Sequence, residues 1–224
     1  MGEALEKLEG FPTYLANNWD NVLELAIAHA VVVAIAITIA AVVGVGLGVL
    51  TYRTPRARDL AVRVTGLFLT IPSLALYALL ITIPGMGFGA KPVTVALVLY
   101  ALLPIVRNTV TGLNGVDPAI VESALGMGMT QRERLRRIEL PLAWPVVLTG
   151  IRVSTLIIIG IAALGAIVNG PGLGELILDG LGRVGTPFAV PIALSGFLGV
   201  IVLGIVFDVF FNVLYRLTTS RGVR

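Results

Sequence analysis

Few side chains in this sequence could carry covalent or metal chemistry. His29 is the only histidine and there is no cysteine. A His-based metal site, a Ser-His-Asp triad and thiolate chemistry are therefore excluded. No Gly-x-x-x-x-Gly-Lys segment is present to cradle nucleotide phosphates. What remains is charge in unusual places. Glu122 to Pro141 reads ESALGMGMTQRERLRRIELP, a polar, Arg-rich stretch between long apolar runs. A membrane connection of this length and order is expected to dock on something. Asp208 is the one acid well inside an apolar run. An unpaired carboxylate there costs on the order of 3 kcal/mol. Arg152 opens another apolar run and can reach inward along its helix, so Asp208 and Arg152 are expected to form a structural ion pair, with Arg107 the second choice. The functional alternative makes Asp208 a site for a substrate's positive charge.

These residues must be positioned by membrane-spanning helices. The 224 residues are 57% hydrophobic and 13% charged, against roughly 25% charged in a soluble domain. Apolar runs predict an all-α integral membrane protein with five transmembrane helices, at about 26–50, 64–83, 92–112, 145–168 and 188–215. A polar, interfacial lead covers 1–25, where Tyr14, Leu15, Trp19, Val22 and Leu23 line one side. Its acids make the wrong charge for a cleavable signal peptide. A tail covers 217–224. One set of connections holds twelve arginines (Arg53, Arg56, Arg58, Arg63, Arg107, Arg132, Arg134, Arg136, Arg137, Arg216, Arg221, Arg224); the other holds Lys7, Lys91 and Arg183. The excess of Lys and Arg marks the cytoplasmic side. The N-terminus is thus expected outside, the C-terminus cytoplasmic, and the 117–141 loop cytoplasmic.

The loop has internal punctuation. Asp117 caps and Pro118 opens a short helix, Ala119 to Leu125. Gly126 and Gly128 break it. Thr130 and Glu133 form a capping box for a second helix, Gln131 to Leu140, which Pro141 ends. The alternative is a basic loop lying on anionic lipid. Elsewhere, Pro72 is expected to kink its span by freeing the Phe68 carbonyl, with Ser73 helping to satisfy the backbone, and Pro104 to do the same to Tyr100. Pro72, Ser73, Tyr77 and Tyr100 are candidate pathway residues; aromatic faces attract quaternary ammonium groups, with helix packing as the alternative. Gly44 and Gly48 predict a close helix crossing. His29 is expected near the outer end of the first span.

The Glu122–Pro141 pattern resembles the membrane subunits of bacterial ABC importers. In that family a cytoplasmic loop carries Glu-Ala-Ala, then Gly, then Ile-x-Leu-Pro. Glu122, Ser123, Ala124, Gly128, Ile138, Leu140 and Pro141 hold those places, with Ser123 for the first Ala. Segments 71–76, 103–108, 115–118, 125–130 and 170–174 are similar to the osmoprotectant branch, although Pro171 departs from it. The resemblance implies a type I ABC importer permease fold in a bacterial inner membrane. It implies that Glu122 to Thr130 (with Leu125, Gly126, Met127 and Met129), together with Ile138, Leu140 and Pro141, couple the chain to a cytoplasmic ABC ATPase. ATP and Mg would be held by that partner, and this chain would bind no cofactor, metal or nucleic acid. A second permease subunit, identical or homologous, and an extracytoplasmic substrate-binding protein are the other implied partners. In the second outer connection, Asn169 to Pro187, a short helix over Glu175–Leu181 is expected to gate or to dock the binding protein, with a simple loop resting at the interface as the alternative. The implied function is uptake of glycine betaine, carnitine or choline. A permease for another small solute, such as an amino acid, and a non-transporting membrane scaffold are the alternatives.

Overall fold

The computed structural model describes residues 2–219, with side chains from Gly10 onward. Arg221 and Arg224 lie outside the described residues, as does the side chain of Lys7. The described chain is helical throughout: α1 (Gly2–Asn17), α2 (Trp19–Thr51), α3 (Pro55–Thr70), α4 (Ser73–Ile81), α5 (Ala90–Asn114), α6 (Pro118–Gly126), α7 (Gln131–Arg134), a π-helical turn (Leu135–Glu139), α8 (Leu140–Leu164), a 3-10 turn (Gly165–Val168), α9 (Gly174–Gly182) and α10 (Ala189–Thr218). Helices Trp19–Thr51, Ala90–Asn114, Gln131–Val168 and Ala189–Thr218 are each long and apolar enough to cross a membrane. Counting α3 and α4 as one broken span gives up to five crossings.

The expected span over 64–83 is where structure and expectation part. It is broken at Ile71–Pro72, and the axis turns by 94° between α3 and α4. A residue that precedes proline is pushed out of the helical region. Ile71 therefore leaves the helix, and Pro72 takes an extended conformation (φ −59°, ψ 135°) as the residue that opens α4. Pro72 thus starts a helix; it does not kink one by freeing the Phe68 carbonyl. Pro104 does lie inside a continuous helix, α5.

The chain divides into two compact units, and α2, α5, α8 and α10 contribute residues to each. In the first (Met1–Ala36, Ile71–Val98, Leu156–Phe207), Val22, Leu173, Leu176 and Ile192 form a core joined by Tyr14, Leu15, Leu25, Ala26 and Val200. Part of the lead packs on the protein: Tyr14, Leu15 and Val22 join the core while Trp19 and Leu23 stay exposed, and Leu15, Trp19, Val22 and Leu23 line one cleft together. His29 is also buried within the protein. It is 1% exposed, and its Nε2 lies 3.1 Å from the Ile159 carbonyl oxygen. The glycine-rich run that follows α8 exists because backbone must pass close by. A Cβ on Gly172 (φ +130°) would meet His29 at 2.8 Å, and one on Gly174 would meet the Ala163 carbonyl oxygen at 1.9 Å.

The second unit is Ile37–Thr70, Leu99–Thr155 and Asp208–Arg224. Here α2 crosses α5 closely: a Cβ on Gly44 would lie 2.8 Å from Ile105, and one on Gly48 2.6 Å from Thr109. Helix α8 approaches α5 in the same way, since a Cβ on Gly150 would lie 2.6 Å from Asn108. The Ser154 hydroxyl donates to the Ala101 carbonyl at 2.8 Å, fixing the register of α8 on α5. Small residues are what allow helix backbones to come this close in an apolar solvent.

Candidate functional site

The 117–141 segment folds as a helical elbow. The Asp117 carboxylate accepts from the Ala119 amide at 2.8 Å, and Pro118 is the first residue of α6. Gly126 remains helical, so the break falls one step later than expected. Gly128 makes the turn, at φ +79°, and the Met129 amide still reaches back to the Ala124 carbonyl at 3.1 Å. The capping box is present. The Thr130 amide donates to Glu133 Oε2 at 2.9 Å, and the Glu133 amide donates to the Thr130 hydroxyl. Hydrogen bonds from the Thr130 hydroxyl and amide hold the Glu133 carboxyl below its usual range. Ala124 is buried at 1% exposure and anchors the elbow, while Glu122, Ser123, Gly126 and Gly128 are exposed. Leu125 and Met127, two apolar side chains, are 53% and 69% exposed beside the two glycines. The elbow therefore presents a bare, partly apolar knuckle flanked by one carboxylate.

Beyond α7 the helix does not stop at Pro141, which sits in the first turn of α8. The reason is the π-helical turn before it. Proline cannot donate to the carbonyl four residues back, and its ring crowds that carbonyl. The widened turn, in which the Leu140 amide bonds Leu135, carries the chain past the obstacle. π-Turns of this kind occur mostly as single insertions inside α-helices.

The same turn buries a carboxylate that the sequence reading left out. Glu139 is 3% exposed. It accepts from the Tyr52 hydroxyl at 2.5 Å, from Arg53 at 3.0 Å and from Arg134 Nε at 2.5 Å. Burial raises its pKa, but the bonds from Tyr52 and Arg134 and the two guanidinium charges outweigh that, so the carboxyl sits below its usual range. Burial, then the bond and charge of Glu139, push the Tyr52 phenol up to about 12. The cluster ties the residues just past α2 to the elbow. One signal was available: an acid standing alone between the apolar Ile138 and Leu140, with an arginine five positions before it.

Arg152 and Asp208 are brought together. Arg152 Nε donates to Asp208 Oδ1 at 2.7 Å. Asn212, one helical turn beyond Asp208, completes a triad, accepting from Arg152 at 2.9 Å and donating to Asp208 Oδ2 at 3.2 Å. Arg107 takes no part. The Tyr77 ring is 1% exposed and its hydroxyl donates to the Ile161 carbonyl at 3.0 Å; Tyr100 is 2% exposed. Ser73 is the first residue of α4. Among the described residues no three acid or histidine side chains gather to hold a metal ion.

Comparison with known proteins agrees with this architecture. Residues 36–220 match the family described as "Binding-protein-dependent transport system inner membrane component". The chain is 37% identical to the choline transport system permease protein OpuBB of Bacillus subtilis, over 94% of each chain. It is 38% identical to the osmoprotectant import permease protein OsmW of Salmonella typhimurium, over 94% of this chain and 98% of that one. Among solved structures, inward-facing MetNI methionine ABC transporter superposes with a TM-score of 0.78 at 19% identity, covering 89% of this chain and 96% of the other. At that identity the likeness shows the fold, that of a type I ABC importer permease.

Proposed function

This chain belongs to the binding-protein-dependent transport system inner membrane component family, and from that premise we propose that it forms the translocation pathway of an ATP-driven importer for osmoprotectants such as glycine betaine, carnitine or choline. It is a permease subunit, not an enzyme. The observation that carries the substrate class is the likeness to choline and osmoprotectant permeases over nearly the whole of both chains. ATP with Mg would be held by a separate cytoplasmic ATPase. A second permease subunit completes the pathway, and an extracytoplasmic binding protein delivers the solute. The charge asymmetry supports an N-terminus outside and an elbow in the cytoplasm, across a bacterial inner membrane.

In this reading the knuckle of Leu125, Gly126, Met127 and Gly128 enters the ATPase, and Glu122 offers it a charge-assisted contact. The buried side of the elbow, through Glu139, passes the motion to the end of α2. Arg152, Asp208 and Asn212 form a structural triad. With both rings buried, we assign Tyr77 and Tyr100 to packing and not to the pathway wall. The test is uptake into vesicles that contain the permease, its cognate ATPase and its native binding protein, with labelled glycine betaine competed by choline, carnitine, proline and methionine. Competition by the quaternary ammonium compounds alone is expected. Competition by methionine alone would move the chain to an amino-acid branch.

A further inference from the structure

We propose that the second unit carries a binding site for one anionic phospholipid, in the cleft between α3 and α5. The cleft has a volume of about 570 Å³, and Arg58, Arg63 and Arg107 bring three guanidinium groups to it. Arg58 is held by Asp59 at 3.0 Å, which also lines the cleft and cancels one charge. Arg63 and Arg107 are exposed, and among the described residues no carboxylate lies in ion-pair range of either. Arg53, Arg134, Arg152 and Arg183 all have such partners. Thr111 and Asn114 line the cleft beside the two open arginines, and Val62 and Val110 are its apolar residues.

This combination fits a phosphodiester that carries hydrocarbon. Guanidinium groups bind phosphate oxygens in pairs and lose less hydration than ammonium groups in doing so. On α3, Leu60 and Leu67 lie about one turn to either side of Arg63, and with Val64 they form an apolar row beside it, 62%, 61% and 43% exposed. A headgroup on Arg63 and Arg107 would lay its acyl chains along that row. Free phosphate has nothing to offer the row, and an acidic protein surface would leave its leucines uncovered. Basic pockets between helices on the cytoplasmic side are where acidic headgroups bind. The proposal rests on the cytoplasmic placement of these arginines given above, but its test does not depend on transport.

The permease is purified with its cognate ATPase in an uncharged detergent. Dioleoyl phosphatidylglycerol, dioleoyl phosphatidylcholine or inorganic phosphate is titrated in, and bound lipid is read by native mass spectrometry. Phosphatidylglycerol is expected to bind on the order of tenfold tighter than phosphatidylcholine, as two basic residues near an acidic lipid allow. Arg63→Gln with Arg107→Gln should abolish that preference, and Arg63→Lys with Arg107→Lys should keep most of it. If the double glutamine variant fails to assemble, Arg107→Gln alone should reduce the preference about threefold. A preference that survives these substitutions overturns the site. So does displacement of the lipid by inorganic phosphate at equal concentration, which marks a free-anion site. A preference seen only after the ATPase is removed also overturns it, because a protein surface then covers the cleft.

Discussion

Gly128 sits at φ +79° with open space around the position a Cβ would take. Its constraint is therefore backbone conformation and not room, and any L-residue there is strained. Gly128→Pro is expected to remove substrate-stimulated ATP hydrolysis from the purified complex, since proline fixes φ near −65°. Insertion into the membrane should be normal. Glu122→Lys should do the same by reversing the exposed charge beside the knuckle. Normal stimulation in both variants would show that the elbow does not couple. Asp208 and Arg152 give a second test. Each single alanine variant should lower folded yield, and Asp208→Arg with Arg152→Asp should recover part of it. Normal folding with loss of cationic substrates alone would place Asp208 in the pathway. The pair was legible because a lone acid in an apolar run demands a partner. Asn212 was not, since an amide in a helix signals nothing until its neighbour's unfilled oxygen is seen.

The element that governs the elbow is the π-turn and the carboxylate it buries. Removing one partner from a buried ion pair leaves the other uncompensated, typically at 3–5 kcal/mol. With Arg53 partly exposed, Glu139→Ala should destabilise the detergent-purified complex by about 3 kcal/mol, and Tyr52→Phe by about 1 kcal/mol. The Glu139 carboxyl is held below its ordinary value of 4.5. Its contribution is complete above that value and is lost as pH falls through the lower, folded value. The melting temperature of the parent complex should therefore drop in that acid window, and the drop should be smaller in Glu139→Gln. Equal acid sensitivity in the two proteins would separate Glu139 from the effect. Caps, glycines and the capping box around this element were readable because they obey local rules. The π-turn was not, because proline at 141 reads as a stop unless a widened turn lets the helix pass.

Across the whole molecule, the apolar runs were legible as helices long and apolar enough to cross a membrane, because hydropathy depends on composition alone. Pro72 marked the place of the break at Ile71–Pro72 but not its size, because a mild kink and a turn of 94° leave the same composition. Sidedness can be measured directly, because the chain has no cysteine of its own. Arg136→Cys should react with an impermeant maleimide only after the membrane is opened, and Arg183→Cys without opening. The reverse pattern would invert the proposed topology. The break has one more consequence, for how the protein is made. α4 has nine residues, about 13 Å at 1.5 Å per residue, less than half of a hydrocarbon layer of about 30 Å. It cannot settle in the bilayer by itself. The carbonyl that receives its Tyr77 hydroxyl belongs to Ile161, 84 residues later. Until the ribosome has made that stretch this hydrogen bond cannot form, and α4 is expected to reach its final packing only after α8 has emerged.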